Sequence, residues 1–253
     1  MKKIIKYLFL LTGGSFILAS CNDFLDREPL DSVTPDNFFF TENDLAAYAV
    51  KHYNFTTHEG FNAGIWRNDN ATDNQAATDY DKKWIPGQWK VPEAYDNPAS
   101  NDPWYFSAIR EANYFLETVV PRFEKGEIEG SETNIKHYIG EMYFLRAKNY
   151  LSKLETFGDF PIIKNTLPDE SASLIQASKR EPRHKVARFI LEDLDLAIGL
   201  LTNTISGGKN RITQNAALLL KSRAALYEAS WLTYHKGTAL VPGGPGWPGK
   251  EKD

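Results

Sequence analysis

The stretch Glu141-Met142-Tyr143-Phe144-Leu145-Arg146-Ala147-Lys148-Asn149-Tyr150-Leu151-Ser152-Lys153-Leu154-Glu155-Thr156-Phe157-Gly158-Asp159-Phe160-Pro161 decides how this chain folds. Its apolar members Met142, Leu145, Tyr150, Leu151 and Leu154, with Ile135, Tyr138 and Ile139 upstream, return at helical spacing, so the period predicts a helix over 134–157 that Gly158 and Pro161 stop. Within it, Leu145-Arg146-Ala147-Lys148-Asn149-Tyr150 aligns with Ser222-Arg223-Ala224-Ala225-Leu226-Tyr227, and Arg, Ala and Tyr coincide at an offset of 77. Small residues let helices approach closely and a following Tyr fills the groove beside them, as in tetratricopeptide-type repeats. The offset is about twice the usual 34 residues, which makes 161–182 a long excursion between helices. Two ordinary amphipathic helices are the alternative reading.

Working outward, three more helices follow the same logic. Residues 104–120 carry Ile109, Ala112, Asn113, Phe115 and Leu116 on one side, between Pro103 and Pro121. Residues 184–201 show Val186, Phe189, Ile190, Leu194, Ala197 and Ile198 after Pro182, and 213–234 run through Ala216, Ala217, Leu220, Ala224 and Tyr227. Nearer the start, Thr41 with Asp44 three residues on forms a capping signal for a helix reaching about Phe55 through Leu45, Tyr48, Ala49, His52 and Tyr53. The expected fold class is all-α, built of tetratricopeptide-like helix-turn-helix repeats with long irregular loop insertions. The tail 240–253, with its run of Pro and Gly, reads as an interrupted loop without a terminal capping helix, so the helical domain 41–253 is expected to be incomplete.

The N-terminus carries an address. Lys2, Lys3 and Lys6 precede a short apolar run at 7–18, and Leu18-Ala19-Ser20-Cys21 follows. The run falls short of the ~20 residues of a spanning helix and contains Thr12, Gly13, Gly14 and Ser15, so residues 1–20 read as a cleaved lipoprotein signal peptide. Cys21, the only cysteine, becomes the lipid-attachment residue, and several acyl chains at about 0.8 kcal/mol per buried methylene hold a protein firmly on a bilayer. An ordinary secretory signal with an incidental cysteine is the alternative. Residues 21–40 lack helical period and read as an extended tether docking through Phe24, Leu25 and Leu30. The formal net charge of −4 becomes −7 once the three leader lysines are gone, and no basic face favours nucleic acid as a partner.

Between the first and second helices, residues 56–101 lose all periodicity. A loop of that length inside a domain is usually functional. It sets Trp66, Tyr80, Trp84, Trp89 and Tyr95 among Arg67, Asn70, Asp73 and Gln75. Flat aromatic rings suit the C–H face of a pyranose, and amides, carboxylates and guanidinium groups suit its hydroxyls. These nine residues, with Trp231 and Trp247 as weaker candidates, are the expected glycan-binding set under the family resemblance described below, which is what implies a glycan ligand. Other chemistries find less support. The five histidines are scattered without metal or triad spacing, Glu192, Asp193 and Asp195 read as a wet helix face, and neither catalytic nor metal residues nor a cofactor are expected. The stretch Asn68-Asp69-Asn70-Ala71-Thr72-Asp73 lacks the Gly and Glu of a calcium-binding EF-hand loop, though an irregular calcium site stays open.

Several segments together resemble the SusD/RagB family of outer-membrane nutrient-binding lipoproteins. Phe24-Leu25-Asp26-Arg27-Glu28-Pro29 is similar to the family's opening after the lipid-modified cysteine. Phe38-Phe39-Phe40-Thr41-Glu42-Asn43-Asp44-Leu45 resembles its first helix entry, and Trp104-Tyr105-Phe106-Ser107-Ala108-Ile109-Arg110-Glu111-Ala112-Asn113 its next helix. The block 141–161 is the most specific match, and 180–195 and 211–225 complete the order. The resemblance covers nearly all of the chain after the leader, and family members are usually much longer. It implies a non-catalytic, lipid-anchored, cell-surface protein that binds an oligosaccharide and delivers it to a TonB-dependent, SusC-like outer-membrane transporter. A helical scaffold that binds protein or peptide, and a surface hydrolase, are the competing readings.

Overall fold

A computed structural model of the chain describes residues 38–53, 55, 104–204 and 210–247. Six helices occupy the described residues: α1 Glu42–Lys51, α2 Ser107–Glu124, α3 Glu132–Phe157, α4 Ser171–Ala177, α5 Arg183–Leu200 and α6 Gln214–Tyr234. They belong to one unit, Phe39–Asp253, separate from Met1–Phe38. The signal peptide, nearly all of the tether and the 56–101 insertion fall outside the described residues, save Phe38, Phe39 and Phe40.

The start of α1 is built as its capping signal requires. Thr41 Oγ1 accepts from the Asp44 N–H at 3.3 Å, and Asp44 Oδ2 accepts from the Thr41 N–H at 3.0 Å, so two donors left over by the first turn are satisfied. Just before it, Phe39 adopts a left-handed backbone, φ 70°, uncommon for a residue with a Cβ. Burial offsets that strain: Phe39 is fully inaccessible, edge-on to Tyr48 at 5.0 Å and to Phe115 at 5.3 Å.

The long helix α3 is the axis of the unit. Fourteen of its residues are buried, because it packs against α1, α2 and α5 and also touches α6. The helix ends at Gly158, whose φ of 72° a side chain would disfavour. Its antiparallel neighbour α2 buries Ile109, Ala112, Asn113, Phe115, Leu116 and Val119. The second antiparallel pair is α5 and α6, with α5 lying between α3 and α6. Two successive helical hairpins stacked through α3 and α5 are the expected repeat architecture. Ala147 and Ala224, the matched small residues, are both buried, but Arg146 is buried whereas the Arg223 side chain is largely exposed beside Glu155.

Several details differ from the sequence reading, among them the start of α2 at Ser107 in place of residue 104. The first helix ends at Lys51, short of Phe55. Pro121 lies inside α2, which continues to Glu124: a proline in the last turn forfeits only its own N–H bond, and its carbonyl still accepts from Lys125 at 3.2 Å. The excursion 161–182 contains α4, whose seven residues include none that is buried.

Close contact between the hairpins depends on Gly140. A Cβ there would stand 3.0 Å from Leu200 Cβ and 3.0 Å from Leu201 Cγ, tighter than nearly all packed Cβ contacts, so the two leucines would have to give by a few tenths of an ångström. Gly140→Ala is expected to cost about 1–3 kcal/mol through overpacking, seen as a lower thermal midpoint with unchanged helical circular dichroism.

Candidate functional site

All nine expected glycan-binding residues, Trp66, Arg67, Asn70, Asp73, Gln75, Tyr80, Trp84, Trp89 and Tyr95, lie outside the described residues, as does Cys21. The two weaker candidates are described. Trp231 sits under the Arg183 guanidinium at 4.1 Å and beside the His235 ring at 4.1 Å, so it packs the end of α6. Trp247 faces the His184 ring at 5.7 Å.

A cleft of about 350 Å3 opens instead between the start of α2 and the segment after α3. Its aromatic side begins with Trp104, which sequence reading used only to mark the approach to a helix. The Trp104 ring lies 4.0 Å from Phe157 and is stacked on Phe160 at 5.7 Å, and Phe106 stacks on Phe160 at 5.1 Å. The opposite side is Pro161, Ile163, Asn165 and Leu167, with Leu174 and Ser178 from α4 and its end. Arg110 and Asn165 bring polar groups to this largely apolar surface, and no carboxylate lines it among the described residues. Such a surface can hold a flat, weakly polar face and hydrogen-bond its rim.

A buried network fixes that second wall. Segment 163–166 forms no helix or strand, so its backbone needs partners from side chains. Tyr150 Oη accepts from the Ile163 N–H at 2.8 Å and donates to the Ile163 carbonyl at 3.1 Å. Asn113, fully buried, donates to the carbonyls of Ile163 at 2.8 Å and Asn165 at 3.3 Å. Glu117 accepts from the Thr166 N–H at 2.8 Å. Behind Asn113 stands Arg146, which donates to Asn113 Oδ1 at 2.9 Å and to the Lys164 carbonyl at 3.3 Å, and forks onto Asp193 at 2.7 and 2.8 Å.

That pairing corrects the reading of Asp193 as part of a wet face. Asp193 is 2% exposed, while Glu192 and Asp195 are on the surface as expected. Burial pushes the Asp193 carboxyl upward and the Arg146 guanidinium pulls it back down. Two further ion pairs tie the helices together. Arg183 donates to Glu228 at 2.9 Å and to the Leu154 carbonyl at 3.2 Å, linking α5 with α6 and α3. Arg211, just before α6, forks onto Glu141 of α3 at 2.9 and 2.5 Å and reaches the Ala46 carbonyl of α1 at 3.2 Å. Asp159 accepts from the Arg183 N–H at 2.8 Å, so the Gly-Asp-Phe-Pro corner caps α5.

Burial also raises five phenols, those of Tyr48, Tyr53, Tyr138, Tyr143 and Tyr150, three of them by a large margin. Tyr150 is pushed up to about 12, and Tyr48 and Tyr53 are held well above the ordinary tyrosine range, Tyr53 with further help from the Glu141 charge. The unfolded chain releases these protons near pH 10 and the folded one keeps them, so stability present below pH 10 is lost as the pH rises towards the folded values. Tyr150 alone contributes a slope of up to about 1.4 kcal/mol per pH unit over that window. An alkaline titration followed by phenolate absorbance and circular dichroism is expected to show these rings ionising together with loss of helix, after the exposed phenols.

Stacked helical hairpins carrying an aromatic cleft, pinned by a buried arginine, define a helical-repeat protein. The family model described as SusD-like, starch-binding and associating with the outer membrane matches residues 23–226, and the chain belongs to that family. A SusD-like protein P2 of Formosa agariphila is 27% identical over 219 residues, covering 84% of this chain and 40% of its own length. A crystal structure of a SusD-like protein from Bacteroides fragilis superposes with a TM-score of 0.59 at 25% identity, covering 81% of this chain and 38% of that one. A SusD-like carbohydrate-binding protein, also from Bacteroides fragilis, shares the fold at a TM-score of 0.56 and 19% identity, over 79% of this chain and 40% of that one. The chain thus spans about 40% of the length of the curated relative.

Proposed function

We propose that this protein is a non-catalytic glycan-capturing lipoprotein, anchored through acyl groups on Cys21 and exposed at the cell surface. It binds an oligosaccharide and passes it to a SusC-like, TonB-dependent transporter of the outer membrane. The observation that supports this reading is the match of a starch-binding, outer-membrane family model to residues 23–226, together with the lipoprotein-type sequence ahead of Cys21. Aromatic residues of the 56–101 insertion, Trp66, Tyr80, Trp84, Trp89 and Tyr95, form the stacking surface in this reading, with Arg67, Asn70, Asp73 and Gln75 as hydrogen-bonding partners. Trp104, three residues beyond the end of that insertion, joins them.

Isothermal titration of neutral and acidic oligosaccharides tests it. Wild-type protein is expected to bind at least one glycan without releasing shorter sugars. Loss of the Trp84 and Trp89 rings together is expected to weaken that binding by about tenfold or more, the scale of one or two aromatic stacking contacts. Unchanged affinity in Trp84→Ala/Trp89→Ala removes the insertion from the site, and turnover of any polysaccharide overturns the non-catalytic reading.

A further inference from the structure

A second cavity, of about 540 Å3, lies between the start of α5 and the turn that follows α6, and shares no lining residue with the Trp104 cleft. α5 contributes His184 and Arg188, α6 and its end contribute Leu232 and Lys236, and the rest is the turn at Gly237, Val241, Pro242, Gly243 and Gly244. The wall holds two permanent cations and a histidine, and no carboxylate among the described residues. Elsewhere the buried guanidinium groups Arg146, Arg183 and Arg211 are matched to Asp193, Glu228 and Glu141. The side chains of Arg188 and Lys236 make no hydrogen bond or ion pair among the described residues.

The turn is shaped to leave backbone at the cavity. Gly237 and Gly243 take φ of 80° and 74°, and a Cβ on Gly244 would stand 1.8 Å from the Thr238 carbonyl oxygen, so side chains are excluded there. Just beside the cavity the Trp247 ring rests 5.7 Å from the His184 ring. Unmatched cations in a concavity attract an oxyanion, and a tryptophan next to them offers a face to an apolar ring.

We propose that this cavity binds the carboxylate or sulfate of an acidic sugar unit, with Arg188 and Lys236 on the oxyanion and Trp247 against the pyranose. This rests on the glycan-capture reading and gives it a ligand class, anionic oligosaccharide. The volume exceeds what a small inorganic anion fills, which leaves room for the ring that carries the charge.

Calorimetry on the full chain with a galacturonic acid tetramer, a neutral glucose tetramer and inorganic sulfate tests the assignment. The acidic tetramer is expected to bind, and its affinity to fall as salt rises from 50 to 300 mM, since the contact is a charge contact near the surface. Arg188→Gln/Lys236→Gln is expected to weaken it by about tenfold or more without changing any binding of the neutral tetramer, and Trp247→Ala is expected to weaken binding of the acidic tetramer as well. Both cations are exposed, so matching thermal melts will show that the variants are folded. Wild-type affinity in the double variant overturns the proposal, and so does sulfate binding as tightly as the acidic tetramer. Binding of the neutral tetramer alone overturns it while leaving glycan capture standing, and binding of neither overturns it and leaves glycan capture to the wider oligosaccharide titration.

Discussion

Arg146→Ala is expected to destabilise the protein by about 3–5 kcal/mol, because it leaves a buried carboxylate without its counter-charge. Asp193 is 2% exposed and takes both guanidinium bonds, so no water can replace them without opening the contact between α3 and α5. The same substitution removes the donors to Asn113 Oδ1 and the Lys164 carbonyl, so the wall of the Trp104 cleft loosens as well. Replacing both partners at once, Arg146→Met with Asp193→Leu, removes the stranded charge and is expected to recover most of the loss. Chemical denaturation of the two variants beside wild type checks this. An Arg146→Ala variant as stable as wild type would show that the pair carries nothing.

Glu141→Ala ranks beside it. Glu141 is fully buried on α3, with Arg211 forked onto it and the His137 ring nitrogen Nε2 3.2 Å away. The Thr202 N–H donates to His137 Nδ1, which leaves the proton on Nε2, and that nitrogen lies near Glu141 without hydrogen-bonding to it. Arg211 in turn lies over Tyr138 at 4.7 Å, so the carboxylate holds a cation wedged between α3, α1 and the entry to α6. Its removal is expected to cost about 3–5 kcal/mol, again by stranding a charge. Glu141→Gln keeps the shape and part of the hydrogen bonding and is expected to fall between the two. Equal denaturation midpoints for wild type and Glu141→Ala would refute the account.

Much of the helical frame was legible from residues. The Thr41 and Asp44 pair announced the start of α1, and the run from Ile135 to Leu154 announced α3, because capping and period are local and α3 is long enough for both to register. Asp193 was misread although the signal was present. It stands four residues from both Phe189 and Ala197, on the buried stripe of α5, but its acidic neighbours Glu192 and Asp195 suggested a solvated face. A pattern of side chains cannot reveal a partner 47 residues away. α4 gave no signal because seven residues without a buried side bear no apolar period. Trp104 passed as a helix marker because only the fold brings it against Phe157 and Phe160.

The three arginine pairs form a closed circuit: α3 to α5 through Arg146, α5 to α6 through Arg183, and the entry of α6 back to α3 through Arg211. A leucine interface tolerates a helix slipping by one turn, about 5.4 Å, at modest loss, since one methyl replaces another. Here the same slip would detach charges in a water-poor interior, and no single rotation could re-form all three bridges. The circuit therefore works as a lock on alignment. A collapsed state with the right helices in the wrong register would leave these charges without partners, a cost that the native register avoids.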